Sequence, residues 1–118
     1  MKLRGTITEQ AYRRELQALR IRLFDDISMR RFLDIIRDTF PGMKTAYILY
    51  WTPEQGEDII TILVDTHSVI KIELDRYDVN IAPIVDVYPI ENLIKARSKT
   101  NQIKVAVALD LAKNDLKI

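Results

Sequence analysis

The residues of this sequence with the clearest capacity for chemistry are acidic side chains at the ends of apolar runs. Asp58 and Asp65 flank the run Ile59–Val64, and Glu73 and Lys71 lie in the next apolar run. Carboxylates that neighbouring strands bring together can hold a divalent cation, which activates water for hydrolysis. Asp58, Asp65, Glu73 and Lys71 are therefore the catalytic candidates of this sequence.

The predicted elements include, in this order, a helix, three strands of an antiparallel meander, a helix and a strand. It resembles the core of restriction-endonuclease-like proteins over more than half of the chain. That resemblance implies a Mg²⁺ site with an acid on the second strand, here Asp58 or Asp65, and an acid-x-Lys pair on the third. Glu73 supplies the acid, but Asp75 stands where the lysine belongs, and Lys71 precedes Glu73 instead of following it. Because this motif is broken, we favour a protein that is not an enzyme.

The stretch WTPEQGED, residues 51–58, is the most acidic run in the chain. It lies between two apolar runs, and Pro53 and Gly56 are the residue types that a turn requires. A calcium loop spaces its oxygen ligands over a longer segment. We therefore interpret this stretch as the turn of a hairpin and expect no metal site.

His67 is the single histidine, and Asp65, His67 and Ser68 together suggest a catalytic triad. Neighbours in one tight turn cannot adopt triad geometry, because the three groups must line up from different elements. With three glycines in the chain, a phosphate-binding loop is also disfavoured. We expect an exposed turn histidine and no cofactor.

Composition indicates one folded domain. The chain has 118 residues, of which 47% are hydrophobic and 30% charged, and it contains no cysteine. No apolar run approaches the roughly 20 residues that span a bilayer. We expect a single α+β domain over residues 1–118, cytoplasmic and without membrane contact, with a helical region at about 6–40 and a sheet region at about 45–112.

Charge is distributed unevenly along the chain. Residues 1–40 carry nine basic and six acidic residues, whereas residues 54–91 carry two basic and nine acidic residues. Either oppositely charged segments pack side by side, or an acidic sheet surface and a basic helical surface meet different partners. Acids are interleaved among the N-terminal arginines, so nucleic-acid binding is possible but not favoured.

A capping box at Thr6 and Glu9 predicts the start of a helix. One apolar stripe follows at helical spacing, and Pro41-Gly42 ends the helical region; the stripe consists of Tyr12, Leu16, Leu19, Leu23 and Ile27. A single helix over residues 7–39 would be roughly 50 Å long, more than a domain of this size can cover. We favour a break near Asp26 or Ser28 over a long helix whose overhang packs in a dimer.

The period then changes to two, which predicts strands at 45–51, 58–65, 69–75 and 84–88. The stretch RYDVNIAP, residues 76–83, is either a loop or a short edge strand. A short helix is predicted at 90–97, a loop at 98–102, a strand at 103–112 and an irregular tail. The predicted fold is α+β: one or two N-terminal helices on one face of a four- to five-stranded, mainly antiparallel sheet, with the short helix before the last strand.

The best functional expectation is a small protein-interaction module: an adaptor, a regulatory subunit or an immunity- or antitoxin-type protein. The interface candidates are the regular stripe and the aromatic residues of the first strand, namely Tyr12, Leu16, Leu19, Leu23, Tyr47 and Trp51. We expect a homodimer through the stripe, and an unidentified protein partner. The alternative function is a nucleic-acid-binding or degenerate nuclease-like domain.

Overall fold

The computed structural model describes residues 2–95 and 98–117. The helices are α1 (Ile7–Asp25), a 3-10 turn (Ile27–Met29), α2 (Arg30–Thr39), α3 (Ile90–Lys95) and α4 (Lys99–Leu116). The strands are β1 (Ala46–Glu54), β2 (Glu57–Val64), β3 (Ser68–Asp75) and β4 (Ile84–Pro89). The α+β class and the N-terminal helices on an antiparallel sheet are confirmed. No helix within the described ranges is long and apolar enough to cross a membrane.

Local hydrogen bonds set the ends of the N-terminal helices. The Thr6 hydroxyl accepts from the backbone N–H of Glu9, whose carboxylate accepts from the backbone N–H of Thr6, so the capping box is confirmed. The predicted break is also confirmed: the Asp26 carboxylate accepts from the backbone N–H of Ser28 at 2.9 Å and caps the 3-10 turn. The Asp26 carboxylate also accepts from the Ser28 hydroxyl, and the two hydrogen bonds from Ser28 lower the pKa of Asp26.

The four strands form a meander in the order β1-β2-β3-β4, with every neighbouring pair antiparallel. Strand β2 is central, as its two apolar faces predict. The pairing of β1 with β2 shifts between Ile48 and Tyr50, which makes Leu49 a bulge. Residues 76–83 form a loop, which resolves the ambiguity of that stretch.

Helices cover both faces of the sheet. On one face, which we call the α2 face, Ile48, Ile60 and Ile72 pack beneath α2, the 3-10 turn and the end of α1. On the opposite face, the α4 face, Tyr47, Leu63 and Val69 pack beneath α3, α4 and the middle of α1. The apolar stripe of α1 therefore contributes to two cores, because α1 lies along β1 at the side of the sheet.

The predicted strand at 103–112 is wrong, since Lys99–Leu116 is the helix α4. Its buried residues are spaced as on a helix; they are Val105, Val107, Ala108, Leu111 and Ala112. The alternating pattern misled because alanine fills the second face at 106, 108 and 112, and a small apolar side chain suits a buried helix as well as a strand.

Three related predictions fail with that strand. The predicted loop at 98–102 is the start of α4, where the Ser98 hydroxyl accepts from the backbone N–H of Asn101. The tail up to Leu116 is helical and not irregular. The sheet ends at Pro89, so the short helix α3 follows the last strand and leads into α4. Residues 96 and 97 of the predicted short helix lie outside the described residues.

Candidate interaction surface

The structure gives Asp58 a supporting role in the first hairpin. Its carboxylate accepts from the Arg76 guanidinium at 3.0 Å and from the Trp51 indole nitrogen at 3.4 Å. Strands β1 and β2 are joined through Gln55 and Gly56, which confirms the predicted turn. Asp58 therefore links β1 to the segment that follows β3.

Asp65 has a comparable role at the other end of β2. Its carboxylate accepts from the backbone N–H groups of Lys44 and Thr45, at 2.9 and 3.0 Å, and so holds the entry to β1. Its φ of 51° places it in a left-handed turn, and the neighbouring His67 is exposed in the same turn, as predicted. Asp65 follows Asp58 by seven positions, about 23 Å along a strand, which is too far for one metal site.

Glu73 and Lys71 lie on the α4 face of β3, 3.9 Å apart at their charged ends. Asp58 pairs with Leu74, whose side chain belongs to the α2 face, so Asp58 and Glu73 project from opposite faces of the sheet. No group of three potential metal ligands occurs among the described residues. The acids of the nuclease-like hypothesis are therefore not brought together, and the last strand of the resemblance is a helix.

The interface candidates of the apolar stripe are mostly inside the molecule. Leu16 and Leu23 are fully buried, and Tyr47 is 2% exposed. Tyr12 and Leu19 are half-buried and pack against the cores. The chain's own sheet and α4 cover the stripe from Leu16 to Leu23, whereas Ile27 at its end is 82% exposed. Dimerisation itself stays a prediction.

Cations cover the aromatic rings at the margins of these cores. The Arg22 guanidinium lies 5.1 Å from the centre of the half-buried Trp51 ring, and the Lys104 ammonium lies 5.8 Å from that of Tyr12. Such contacts stabilise a half-buried ring by about 0.5–1 kcal/mol. These two aromatic residues therefore have partners within the chain.

Asp115 is an organising residue that the sequence pattern did not reveal. It lies near the end of α4 and accepts hydrogen bonds from the hydroxyls of Thr45, at 2.7 Å, and of Tyr47. The Arg20 guanidinium donates to Thr45 at 3.0 Å and lies 3.7 Å from Asp115. Helices α1 and α4 are thus joined to β1 by one polar network. The only local signal was an acid in a tail that was predicted to be irregular.

In contrast to the largely buried stripe, β4 exposes several apolar side chains, and it is the edge strand farthest from α1. Ile84 is 56% exposed, Val85 37% and Val87 50%. We call these three residues the β4 patch, in which Val85 and Val87 project from the α2 face and Ile84 from the α4 face. Val85 and Val87 pair with Ile72 and Ile70, which are buried on the α2 face. The apolar α2 face therefore continues beyond the helix that covers it.

The two edges of the sheet differ in how they are protected. The β1 edge lies against α1, where Arg20 bonds to Thr45 and Arg22 covers Trp51. The β4 edge packs mainly against β3 and α3, and among the described residues no long helix packs along it as α1 does along β1. Proteins normally protect an edge strand, since its unpaired backbone groups recruit another strand.

The surroundings of the β4 patch are acidic. Asp78 precedes β4, Asp86 lies within it, and Glu91 lies in the first turn of α3; all three are exposed. The nearby Arg76 is already paired with Asp58. The acidic segment identified in the sequence therefore surrounds an exposed apolar edge.

The chain matches no protein-family model, and no curated protein and no solved structure is significantly similar to it.

Proposed function

We propose that this protein is a cytoplasmic interaction module without catalytic activity, acting as an adaptor, a regulatory subunit or an immunity- or antitoxin-type protein. The observation that carries the proposal is the β4 patch. Val85 and Val87 are exposed together on the α2 face of an edge strand, and Ile84 is exposed on the opposite face of the same strand. Grouped apolar exposure of this kind is typical of protein-binding sites.

The arrangement of the arginines supports a protein partner over a nucleic acid. Arg13 pairs with Asp110 at 2.8 Å, Arg20 is part of the Asp115 network, and Arg22 pairs with Asp26 at 3.7 Å. Nucleic-acid binding depends on basic side chains that are free to meet phosphates. Here several of the N-terminal basic residues neutralise acids within the chain.

Affinity capture from a nuclease-treated lysate of the source cells tests this proposal. We expect the immobilised protein to retain a protein in near-stoichiometric amount. The double variant Val85→Thr with Val87→Thr should lose it, because threonine keeps the branched shape of valine and the strand preference but removes the apolar surface.

The matched control is Ile21→Thr with Ile27→Thr, which changes two exposed aliphatic residues of the helical region. It should retain the captured protein. If the protein is captured from an untreated lysate but not from the nuclease-treated lysate, the nucleic-acid alternative is favoured. The absence of any stoichiometric protein would contradict the proposal.

A further inference from the structure

We infer that the free edge of β4 binds an extended segment of a different protein, in which apolar residues alternate with lysine or arginine, as a fifth strand of the sheet. The inference rests on the proposed function and specifies the chemistry of its partner. It depends on three features of β4: the direction of its backbone groups, the residues that disfavour self-pairing, and the charge around it.

The hydrogen-bond pattern shows which backbone groups of β4 are available. The Ile90 N–H donates to the His67 carbonyl at 3.0 Å. In antiparallel pairing the hydrogen-bonded pairs alternate, so Tyr88, Asp86 and Ile84 direct their backbone groups toward β3. The N–H and C=O groups of Val85 and Val87 therefore point away from the sheet. The same two residues offer an added strand both its hydrogen bonds and an exposed apolar surface.

A second copy of the chain is a poor occupant of this edge. If Val85 of one copy pairs with Val87 of the other, the two Asp86 residues stand directly opposite each other across the symmetry axis. Like charges at such close positions destabilise a sheet. The partner strand should therefore carry no acid at that position.

The neighbouring antiparallel registers are no better. If Val87 pairs with Val87 of the second copy, Val85 stands opposite Pro89, and if Val85 pairs with itself, Val87 stands opposite Pro83. A proline has no N–H to donate, so each of these registers loses hydrogen bonds. The sequence of β4 thus discourages self-pairing while leaving two outward-facing residues open to another chain.

Charge favours basic residues in the partner. Asp86 projects from the α4 face between Ile84 and Tyr88, and Asp78 and Glu91 flank the strand. On β3, Lys71 is the cross-strand partner of Asp86, and its ammonium lies 3.9 Å from the carboxylate of Glu73, so this one cation stands among several acids. A bound strand that places branched apolar residues beside Val85 and Val87 presents its alternate residues to Asp86. Lysine or arginine there is attracted to these acids.

The test uses three short synthetic peptides as probes. One alternates valine with lysine, the second alternates valine with glutamate, and the third has the composition of the first with its valines and lysines in separate blocks. Binding is measured by fluorescence anisotropy, and the site is located by NMR shifts and hydrogen exchange of the Val85 and Val87 amides. We expect the first peptide to bind at least about tenfold more tightly than either control and to protect both amides.

Two variants separate strand addition from simple charge attraction. Val87→Pro removes one outward N–H that the fold does not use, so it should fold normally and lose peptide binding. Asp86→Lys should reverse the preference, so that the valine–glutamate peptide binds better than the valine–lysine peptide. Circular dichroism verifies that each variant is folded.

Each contrary result overturns the inference in a recognisable way. Equal binding of the two alternating peptides, or unchanged binding by folded Val87→Pro, rules out a charge-selected strand at this edge. A wild-type dimer that Val87→Pro converts to a monomer would make a second copy the occupant. If the lysate partner is retained by Val87→Pro, the proposed function stands but its site lies elsewhere.

Discussion

Tyr47 is a single residue whose titration reports on the packing of α4 against the sheet. Its hydroxyl donates to Asp115 from a buried position on β1. Burial disfavours the phenolate, and the hydrogen bond to a carboxylate favours the phenol, so together they raise the pKa of Tyr47 from 10 to about 12. The hydrogen bond from Tyr47 to Asp115 therefore stabilises the fold only while Tyr47 is protonated.

We predict that Tyr47 ionises with a pKa of about 12, above the ordinary tyrosine value of 10. The folded protein holds its proton more tightly than the unfolded chain, so this contribution to the free energy of unfolding is complete below pH 10. It is lost as the pH rises from 10 to about 12. Phenolate absorbance should show a late phase that Tyr47→Phe removes and that Tyr77→Phe, a change at an exposed ring, keeps. A wild-type titration without that phase would contradict the prediction.

Gly56 is required by its backbone conformation and not by space. Its φ is +73°, while a Cβ there would meet nothing nearer than the Tyr77 ring at 3.5 Å. We predict that Gly56→Ala lowers the free energy of unfolding by about 1–2 kcal/mol, the cost of a left-handed alanine. Gly42→Ala, at a turn without positive φ and with no neighbour within 4 Å, should change it little. Urea denaturation measures both, and equal effects would show that the turn relaxes.

At the scale of elements, α4 shows how tertiary packing can override local preference. Ile103, Val105 and Val107 are branched residues that favour strands, and their alternation predicts one. The helix forms because its buried residues complete the core beneath the α4 face, and because Asp110 and Lys104 reach α1 through ion pairs with Arg13 and Glu15. Burial of a whole face outweighs the few tenths of a kcal/mol per residue that helix propensity costs.

We predict that Val107→Asp lowers the free energy of unfolding by several kcal/mol, because Val107 is fully buried and the new charge would have no partner. Urea denaturation followed by circular dichroism measures the effect. Lys113→Asp, at an exposed position of the same helix, should cost far less. Near-normal stability of the Val107 variant would show that α4 is not packed in the core.

At the scale of the whole molecule, the stripe of α1 is covered by the chain itself. We predict that Leu16→Glu with Leu23→Glu abolishes folding instead of releasing a folded monomer. Two charges would be buried at fully covered positions, and each costs several kcal/mol against a total stability of about 5–15 kcal/mol. Circular dichroism and sedimentation distinguish the two outcomes.

The matched control for this prediction is Gln17→Glu with Ile21→Glu, which places the same charges on the exposed side of α1. It should remain folded. A folded, monomeric Leu16 and Leu23 double variant derived from a dimeric wild type would restore the stripe as a dimer seam.

Sequence alone determined the features that depend on near neighbours. The capping box at Thr6, the break at Asp26 and the hairpin at Gly56 each close hydrogen bonds or set dihedral angles within a few residues. Strands β2 and β3 were also predictable: β2 is a run of mostly branched residues between two turns, and Lys71 and Glu73 alternate with the apolar residues of β3. The physical reason is that these choices are made locally and need no distant partner.

Tertiary structure decided what depends on distant partners. The packing of distant elements decides whether residues 103–112 form a helix or a strand. It also decides whether Leu16 packs against the sheet or against a second copy. Asp58 and Glu73 were separated by strand pairing, which put them on opposite faces. The exposure of Val85 and Val87 likewise follows from the extent of α2 over the sheet. Burial is a property of the assembled layers, so periodicity along one segment cannot specify it.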